Sequence, residues 1–439
     1  MSTVSDKPSS AEVTPNPVTK TPVTKTIDRR GFLRYAGTAV AAGAALAACG
    51  GGDDKGAKKP KGLGATGSSS SRRRKVKLGF IALTDCAPLV MAKELGFFDD
   101  HGLDVELIKQ ASWPATRDNL LTGQIDGAHC LYSMPFSVAS GVSGSGTGLK
   151  IAMILNNNGQ AITLEKSLAG AGYADLAAAK KVLDGRPKTT LAMTYPGGTH
   201  DLWLRYWLLA TKADRSKITI NPIPPPQMVQ NMKVGNMDGY CVGEPWNAVA
   251  VEQGIGFTHL ATQDLWLHHP EKALVVNETV SLDAALMIEV IGAVLEASRW
   301  LDDLDNRAKA ATTLGTPNYV SAPAEEIKGR LLGKYDIGAG LGTKDFGGRQ
   351  MMFFRGGKVS APRRSHGYWA LAQYQRMGLL KSAPPYEELV DAIVLRDLYE
   401  KAADKAGVDV PDDDMAPFEV ALDSVTFDPA KVEEEARRA

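Results

Sequence analysis

The sequence predicts an α/β protein built from two similar lobes, because strand-like and helix-like segments alternate and one turn motif occurs twice. The motif N-x3-G-x2-D-G spans residues 119–127 and again 231–239, each time after a helix-like run. Each central glycine suits a left-handed helix end, and each Asp-Gly turns the chain into a short apolar strand. Two copies in the same flanking order predict two lobes, each with a mostly parallel open sheet.

Charge is unevenly distributed along the chain. The whole chain carries 50 basic and 50 acidic residues, but residues 1–75 hold 14 of the basic and 5 of the acidic ones. The remainder, with 36 basic and 45 acidic residues, has a net charge of −9. An acidic body argues against nucleic acid as a partner. It also means that an anion site must rely on local hydrogen-bond donors.

The N-terminal segment predicts export. Arg29 and Arg30 precede Phe-Leu and a weakly apolar run, which resembles a twin-arginine signal. The run is shorter than the roughly 20 apolar residues that span a bilayer. It ends in Leu-Ala-Ala-Cys-Gly, which resembles a lipobox with Cys49 as the lipidated residue. We expect a twin-arginine lipoprotein signal peptide over 1–48, and the lipidated cysteine with a flexible tether over 49–75. An ordinary cleaved signal with an incidental cysteine is the alternative.

The body divides into three predicted parts. Residues 76–188 are expected to form lobe 1 and residues 189–270 lobe 2, whereas residues 271–439 return to lobe 1 and add a C-terminal helical extension. Within that extension, the Gly- and Lys-rich residues 333–357 predict a loop or hairpin, and the acidic residues 410–439 predict a loosely packed tail. In open parallel sheets ligands bind beyond the carboxyl ends of the strands. Those ends carry polar loops here, so we expect the ligand site between the lobes.

The side chains at these loops indicate binding rather than catalysis. The sequence has no Walker loop and no GxGxxG motif. The loops supply donors without a paired acid and base: Trp113, Gln160, His200, Lys272 and the backbone near Gly243. Each has an ordinary alternative, since Trp113 is also typical of a core aromatic and Lys272 of a solvated surface lysine.

Metal and thiol chemistry are not predicted. His268 and His269 lie near Glu271, but adjacent histidines usually point apart and Pro270 favours a surface loop, so no metal site is expected. Cysteines at positions 86, 130 and 241 show no metal-binding spacing and are expected to be buried thiols.

Several sequence runs, in order, resemble a known family. They are LGFIALTDCAPLVMAKELGFF, KQASWPATRDNL, IDGAH, NNNGQ, MTYPGGTHDLWLRYWL, PPPQMVQNMKVGNMDGYCVGEPWN and HPEKAL, within residues 76–278. The sequence resembles the nitrate- and bicarbonate-binding proteins of bacterial ABC importers, within the nitrate/sulfonate/taurine solute-binding family. The resemblance implies a type II periplasmic-binding-protein fold, with two α/β lobes, a hinge and an added C-terminal helical layer. Cys86 and residues 333–357 do not match the family pattern.

The resemblance also implies a set of ligand contacts. The anion contacts of the nitrate binders fall on Trp113, Gln160, His200 and Lys272, with backbone groups at Val242 and Gly243. Relatives that bind bicarbonate carry an acidic residue at the position of Lys272 and use calcium. A lysine pairs directly with a weakly basic monoanion, whereas an acid needs an intervening cation. Lys272 therefore favours nitrate or nitrite, without metal or cofactor.

The function implied is that of a non-enzymatic, extracytoplasmic solute-binding lipoprotein. It would capture nitrate at the outer face of the cytoplasmic membrane, held there by a lipid anchor, and deliver it to ABC permease and ATPase subunits. Three alternatives stay open: calcium-dependent bicarbonate binding, an exported enzyme acting on a small molecule, and a pure sensor subunit.

Overall fold

The computed structural model describes residues 73–438. The predicted export signal at Arg29 and Arg30 and the predicted lipidation site at Cys49 lie outside the described residues. Among the helices that are described, none combines the length and the apolar character needed to cross a bilayer.

Strands form two larger sheets and two small hairpins. The chain forms strands β1 (Arg74–Phe80), β2 (Leu103–Lys109), β3 (Gly127–Leu131), β4 (Leu149–Asn157), β5 (Gln160–Glu165), β6 (Thr189–Met193), β7 (Ile218–Pro222), β8 (Gly239–Gly243), β9 (Gly256–Ala261), β10 (Pro270–Asn277), β11 (Lys334–Asp336), β12 (Thr343–Asp345), β13 (Phe418–Val420) and β14 (Val425–Phe427).

Helices connect these strands and outnumber strands in the C-terminal third. They are α1 (Ala87–Glu94), α2 (Phe97–Asp100), α3 (Trp113–Leu121), α4 (Met134–Ala139), α5 (Leu176–Asp184), α6 (Thr199–Thr211), α7 (Met228–Lys233), α8 (Trp246–Glu252), α9 (Glu278–Ser281), α10 (Ala284–Asp302), α11 (Arg307–Leu314), α12 (Ala324–Leu331), α13 (Arg364–Arg376), α14 (Tyr386–Ile393), α15 (Arg396–Lys405) and α16 (Val432–Arg437).

The two larger sheets share one plan. The first has the order β2-β1-β3-β10-β4 and the second β7-β6-β8-β5-β9. In each sheet the first three strands are parallel, and the fourth runs antiparallel to both of its neighbours. Strands β3, β8 and β10 are buried along their whole length, as expected for apolar strands covered on both faces.

The chain enters the second sheet earlier than the predicted division at residue 189. Strand β5 pairs with β8 and β9, so the segment from Gln160 onward already belongs to the second sheet. Strand β10 returns to the first sheet, where it lies between β3 and β4. The sheets are therefore joined by two crossings, one at residues 158–159 and one before β10.

The repeated turn motif occupies equivalent positions in the two sheets, immediately before β3 and β8. The Asp126 carboxylate accepts from the Lys77 amide at 2.7 Å, and the Asp238 carboxylate accepts from the Thr190 amide at the same distance. The amides of Asp126 and Asp238 donate back to the carbonyls of Lys77 and Thr190. Each aspartate thus links the turn to the neighbouring parallel strand of its own sheet, β1 in the first sheet and β6 in the second.

The C-terminal residues form a layer over both lobes. Helix α10 packs on α1, and α13 contacts both α4 of the first lobe and α6 of the second. The predicted excursion at 333–357 contains the β11–β12 hairpin, which docks on the second sheet through the Thr258 amide and the Ile337 carbonyl at 2.8 Å.

The prediction of a loosely packed tail at 410–439 is wrong. Val420 and Phe427 are buried, and Phe418 stacks on Trp266 with ring centroids 4.4 Å apart. The carboxylate of Glu435 accepts from the buried Gln373 amide at 2.7 Å. The segment is acidic in composition, but its few apolar side chains are spaced so that they reach the core.

Candidate functional site

The structure brings all six predicted site positions into one buried cluster between the sheets. The side chains come from the start of α3, the start of β5, the first turn of α6 and strand β10, and the backbone groups come from the end of β8. The six positions are Trp113, Gln160, His200, Lys272, Val242 and Gly243, and all are buried. Residues far apart in sequence therefore form a single closed site.

The cleft is closed in this structure by direct contacts between the lobes. The Trp246 indole donates to the carbonyl of Ala82 at 2.9 Å, and the Thr84 amide donates to the carbonyl of Glu244 at 2.7 Å. The Ser133 hydroxyl donates to the carbonyl of Gly197 at 2.9 Å. These contacts shut the site from bulk water, which strengthens each hydrogen bond inside it.

Lys272 lies at the centre of the cluster between two carboxylates. Its ammonium donates to Asp85 and to Glu271, each at 2.8 Å, and neither lysine nor carboxylate is exposed. Burial would lower the pKa of Lys272, but the two carboxylates outweigh burial and raise it. The ammonium is thus charged and already paired, so an incoming anion has to share it.

Asp85 is held in its ionised form. Its carboxylate also contacts His129 Nε2 at 2.6 Å and accepts a long hydrogen bond from the Gln160 amide at 3.5 Å. Burial alone would raise the pKa of Asp85, but the charge of Lys272 and the contact with His129 lower it to about 2.

Glu271 differs from Asp85 in its surroundings and in its pKa. Its carboxylate accepts from the Thr199 hydroxyl at 2.6 Å and from the Trp203 indole at 2.9 Å, both on α6 of the second lobe. Burial raises the pKa of Glu271, and Lys272 offsets only part of this effect. Glu271 thereby ties the first sheet to the helix that carries His200.

Several polar atoms of the cluster have no hydrogen-bond partner within residues 73–438. They include Trp113 Nε1, His200 Nε2 and Gln160 Oε1. His200 Nδ1 is bonded to the Thr194 hydroxyl, and Nε2 stands 3.7 Å from Glu271. Burial, followed by the charge of Lys272, lowers the pKa of His200 well below its usual value. A neutral His200 can therefore offer its free ring nitrogen to a ligand.

Trp113 lies beside His129 and Lys272. Its ring is fully buried and lies 5.8 Å from the ring of His129, and the Lys272 ammonium stands 5.9 Å from the ring centroid. Its indole N–H is buried and has no partner within residues 73–438, although buried polar atoms normally have one.

Gly243 allows the backbone to approach the charged groups. A Cβ atom there would lie 3.3 Å from the Asp85 carboxylate and 3.4 Å from the Gln160 amide nitrogen. Gly243 pairs with Gln160 across the sheet, and Val242 pairs with the next residue, Ala161. A larger residue at Gly243 would fill the space in which a small ligand could meet the backbone.

Three residues of the site were not predicted as site residues from the sequence: Asp85, His129 and Glu271. Asp85 had a signal, since it follows β1 in a polar loop at the carboxyl end of a strand. Glu271 was considered only as part of a metal cluster with His268 and His269. Among the residues that the structure describes, no three His, Cys, Asp or Glu side chains converge as metal ligands.

The buried thiols are placed for packing. Cys86, Cys130 and Cys241 are free and fully buried, as predicted. Burial raises the pKa of the Cys241 thiol, next to the site, well above its usual value. A thiol in this state is a poor nucleophile.

A model of the NMT1-like family matches residues 69–315. The chain belongs to the NMT1-like family. This membership agrees with the family likeness predicted from the sequence, and the predicted two-lobed periplasmic-binding fold is confirmed by a solved relative. That structure is the periplasmic nitrate-binding protein NrtA from Synechocystis PCC 6803, with a TM-score of 0.76 and 36% identity, covering 82% of this chain and 97% of the other.

Named relatives of this NMT1-like protein include binding proteins and an import ATP-binding protein. The nitrate/nitrite binding protein NrtA of Nostoc sp. PCC 7120 is 37% identical over 93% of this chain and 97% of its own. The nitrate import ATP-binding protein NrtC of Synechocystis sp. PCC 6803 is 37% identical over 78% of this chain and 52% of its own. The bicarbonate-binding protein CmpA of Synechococcus elongatus PCC 7942 is 30% identical over 83% and 86%.

Proposed function

We propose that the protein is a binding subunit that captures nitrate, with nitrite as a second candidate anion, and delivers it to an ABC importer. The observation that carries the proposal is a buried ammonium, Lys272, surrounded by unpaired polar atoms of Trp113, Gln160 and His200. With backbone groups at Val242 and Gly243, these atoms can accommodate a small planar anion. Named nitrate-binding relatives that align over nearly the whole chain support it.

The charge balance of the site favours a singly charged, weakly basic anion. Lys272 already faces Asp85 and Glu271, so a doubly charged anion would meet two carboxylates and a single ammonium. Nitrate spreads one charge over three oxygens and can accept several hydrogen bonds at once. Micromolar affinity corresponds to about −8 kcal/mol, which several hydrogen bonds of roughly 1–3 kcal/mol can supply after the cost of closure.

Lobe closure is the proposed step that retains the anion. Trp113 and Lys272 lie on first-lobe elements, whereas His200 and Gly243 lie on second-lobe elements. Only closure brings the two donor sets together, and closure also removes water from the site. Opening against the permease would separate the two donor sets and release the anion.

Bicarbonate with calcium is the alternative within the same family. Calcium binds through oxygen ligands, often carboxylates, and Asp85 and Glu271 could supply two. The Lys272 ammonium stands 2.8 Å from both carboxylates, where it would repel a divalent cation. This geometry favours binding of the anion without metal.

The proposed role is that of a receptor rather than an enzyme, outside the cytoplasmic membrane. Arg29 and Arg30 would direct export and Cys49 would carry the lipid anchor, as the sequence predicts. The likeness to an import ATP-binding protein supports an ATPase and a permease as partners.

Calorimetric titration of the full-length protein tests the proposal. Nitrate, nitrite, bicarbonate and taurine are titrated in turn, each with calcium and with a chelator. Saturable nitrate heat that survives the chelator is the expected result. If bicarbonate binds, and only in the presence of calcium, the protein is the calcium-dependent bicarbonate binder of the alternative. If no anion gives a binding heat, the enzyme and sensor hypotheses stand again.

A further inference from the structure

A second cavity, of about 610 Å³, lies beside the start of β10, where the C-terminal segments meet the first lobe. Its lining includes Trp266, Arg355, Lys358, His366 and Phe418. None of these residues belongs to the anion site described above.

Two cations of this cavity are available for a ligand. Within residues 73–438 the side chains of Arg355 and Lys358 make no hydrogen bond or salt bridge. The carboxylate of Asp302 accepts from the backbone amide of Arg355, and its charge partly offsets the effect of burial on the pKa of Arg355. Arg363, by contrast, is largely committed: it donates to the carbonyl of Ala416 at 2.7 Å and stands 3.4 Å from Asp413. The remaining acidic residue of the lining, Glu419, is exposed at the rim. Arg355 and Lys358 therefore leave an excess of positive charge.

Two imidazoles of the lining add unpaired polar atoms. His366 is 8% exposed, and its Nδ1, like that of His268, is buried and has no partner within residues 73–438. Burial, and then the charge of Arg363, lowers the pKa of His366 well below its usual value. Burial, and then Arg355, lowers the pKa of His268 to about 4. Both rings are neutral near pH 7, so each can donate or accept one further hydrogen bond.

Part of the cavity lining is aromatic. Trp266 and Phe418 stack with centroids 4.4 Å apart and an interplanar angle of 2°, and the edge of His366 packs against both. Such a wall favours the carbon skeleton of a ligand, whereas the cations favour its charged groups. The ligand chemistry that fits both is an organic anion with more than one negative charge.

We propose that this cavity binds a small organic dianion, whose carboxylate or phosphate oxygens pair with Arg355 and Lys358 and whose carbon skeleton lies against Trp266 and Phe418. The two sites are neighbours. The ring of Trp266, in the lining of this cavity, lies 5.9 Å from the ring of Trp203, whose indole donates to Glu271 of the anion site. This proposal stands independently of the identity of the anion held at Lys272.

Titration of full-length protein saturated with nitrate tests the second site. Succinate is the carboxylate probe and adenosine 5′-monophosphate the phosphate probe, with 1,4-butanediol and adenosine as their neutral counterparts. At least one dianion is expected to bind saturably, and neither neutral compound should match it. Arg355→Gln/Lys358→Gln should weaken dianion binding at least tenfold, since half-buried and exposed side chains at these positions are replaceable without loss of the fold.

A matched variant separates a specific site from general charge. Lys166→Gln/Lys381→Gln removes the same charge from exposed positions elsewhere and should leave dianion binding unchanged. Equal loss in both double variants, equal binding of neutral counterparts, or no binding of either dianion would overturn the proposal. The nitrate affinity of every variant is measured in parallel. Failure of nitrate to bind would therefore count against the proposed function alone.

Discussion

The two lobes have the same scaffold but carry different chemistry. In both, a turn with an aspartate at the same position links two parallel strands: Asp126 holds Lys77, and Asp238 holds Thr190. The ionisable groups in contact at the centre of the site, Lys272, Asp85 and Glu271, come from the first lobe. The second lobe contributes neutral groups, among them His200.

This difference separates two tasks that a binding cleft has to perform. The first lobe supplies the ammonium that pairs with the anion, together with the two carboxylates that share this ammonium. The second lobe holds uncharged hydrogen-bonding groups, which contribute only once the lobes have closed. Because the ionisable groups and the neutral hydrogen-bonding groups lie on different lobes, full affinity for the anion requires the lobes to close.

Removing the ammonium should have the largest effect. Lys272→Gln is expected to weaken nitrate binding about 1,000-fold, because truncating a buried, hydrogen-bonded charge costs about 2–5 kcal/mol. Gln160→Ala, on the neutral lobe, should cost about tenfold, the size of one hydrogen bond. Calorimetry measures the nitrate dissociation constants of the two variants. Similar losses of affinity in both would contradict the distinction between a charged and a neutral lobe.

The Lys272→Gln variant also leaves two carboxylates without their cation, so its stability needs a control. The double variant Asp85→Asn/Lys272→Gln removes one charge of each sign and keeps the net charge. A double variant that unfolds near the wild-type temperature and still fails to bind nitrate assigns the loss to the missing ammonium. Recovery of binding in the double variant would assign it to unbalanced charge instead.

The lobes also differ in how their buried imidazoles are paired. His129 of the first lobe contacts a carboxylate, whereas His259 of the second accepts from the Trp207 indole at 3.1 Å, and its Nδ1 contacts the carbonyl of Gly172 at 2.8 Å. An indole only donates, so protonation of His259 would set two N–H groups against each other. Burial is the main cause that lowers the pKa of His259 to about 4.

A depressed imidazole pKa stabilises the fold above the unfolded value of 6.5, and this stability is lost as the pH falls towards about 4. His259 therefore contributes a slope of about 1.4 kcal/mol per pH unit in that window, about 3 kcal/mol in total. His259→Gln should flatten the pH dependence of the unfolding free energy by this amount. Denaturant titrations at several pH values between 7 and 4 measure the slope, and an unchanged slope would exclude His259 as a titrating group.

Glycines at the equivalent starts of β3 and β8 test how closely the scaffolds match. A Cβ at Gly239 would lie 2.6 Å from Leu164 Cδ2 and 2.8 Å from the Thr163 carbonyl, whereas at Gly127 its nearest contact is Val276 Cγ1 at 3.0 Å. A backbone carbonyl cannot move alone, so Gly239→Ala should cost about 2–3 kcal/mol and Gly127→Ala about 1 kcal/mol. Denaturant unfolding of the two variants gives both costs, and equal values would mean that the second sheet relaxes as easily as the first.

Local features were predictable from the sequence, and partnerships between distant segments were not. The repeated turn, the hairpin excursion and the buried thiols follow from nearby residues. Five of the six site positions were recognised as donors on polar loops, and the family likeness added Val242. The structure brings all six together. The ion pair of Asp85 with Lys272 joins residues 187 positions apart, and no local pattern indicates it. The C-terminal tail was mistaken for a loose segment because its acidic composition outweighed the apolar side chains that reach the core, such as Val420 and Phe427.

Replacing Asp85 should change nitrate affinity less than replacing Lys272 does, and in the opposite direction. Asp85→Asn keeps an acceptor for His129 but removes the negative charge that shares Lys272 with the incoming anion. Nitrate affinity should rise about tenfold, or about 1.4 kcal/mol. Asp118→Asn, at an exposed carboxylate, is the control and should leave affinity unchanged. Weaker nitrate binding in Asp85→Asn would mean that Asp85 orients the Lys272 ammonium for the anion and does not compete with the anion for it. The Asp85–Lys272 ion pair would then stay intact when nitrate binds.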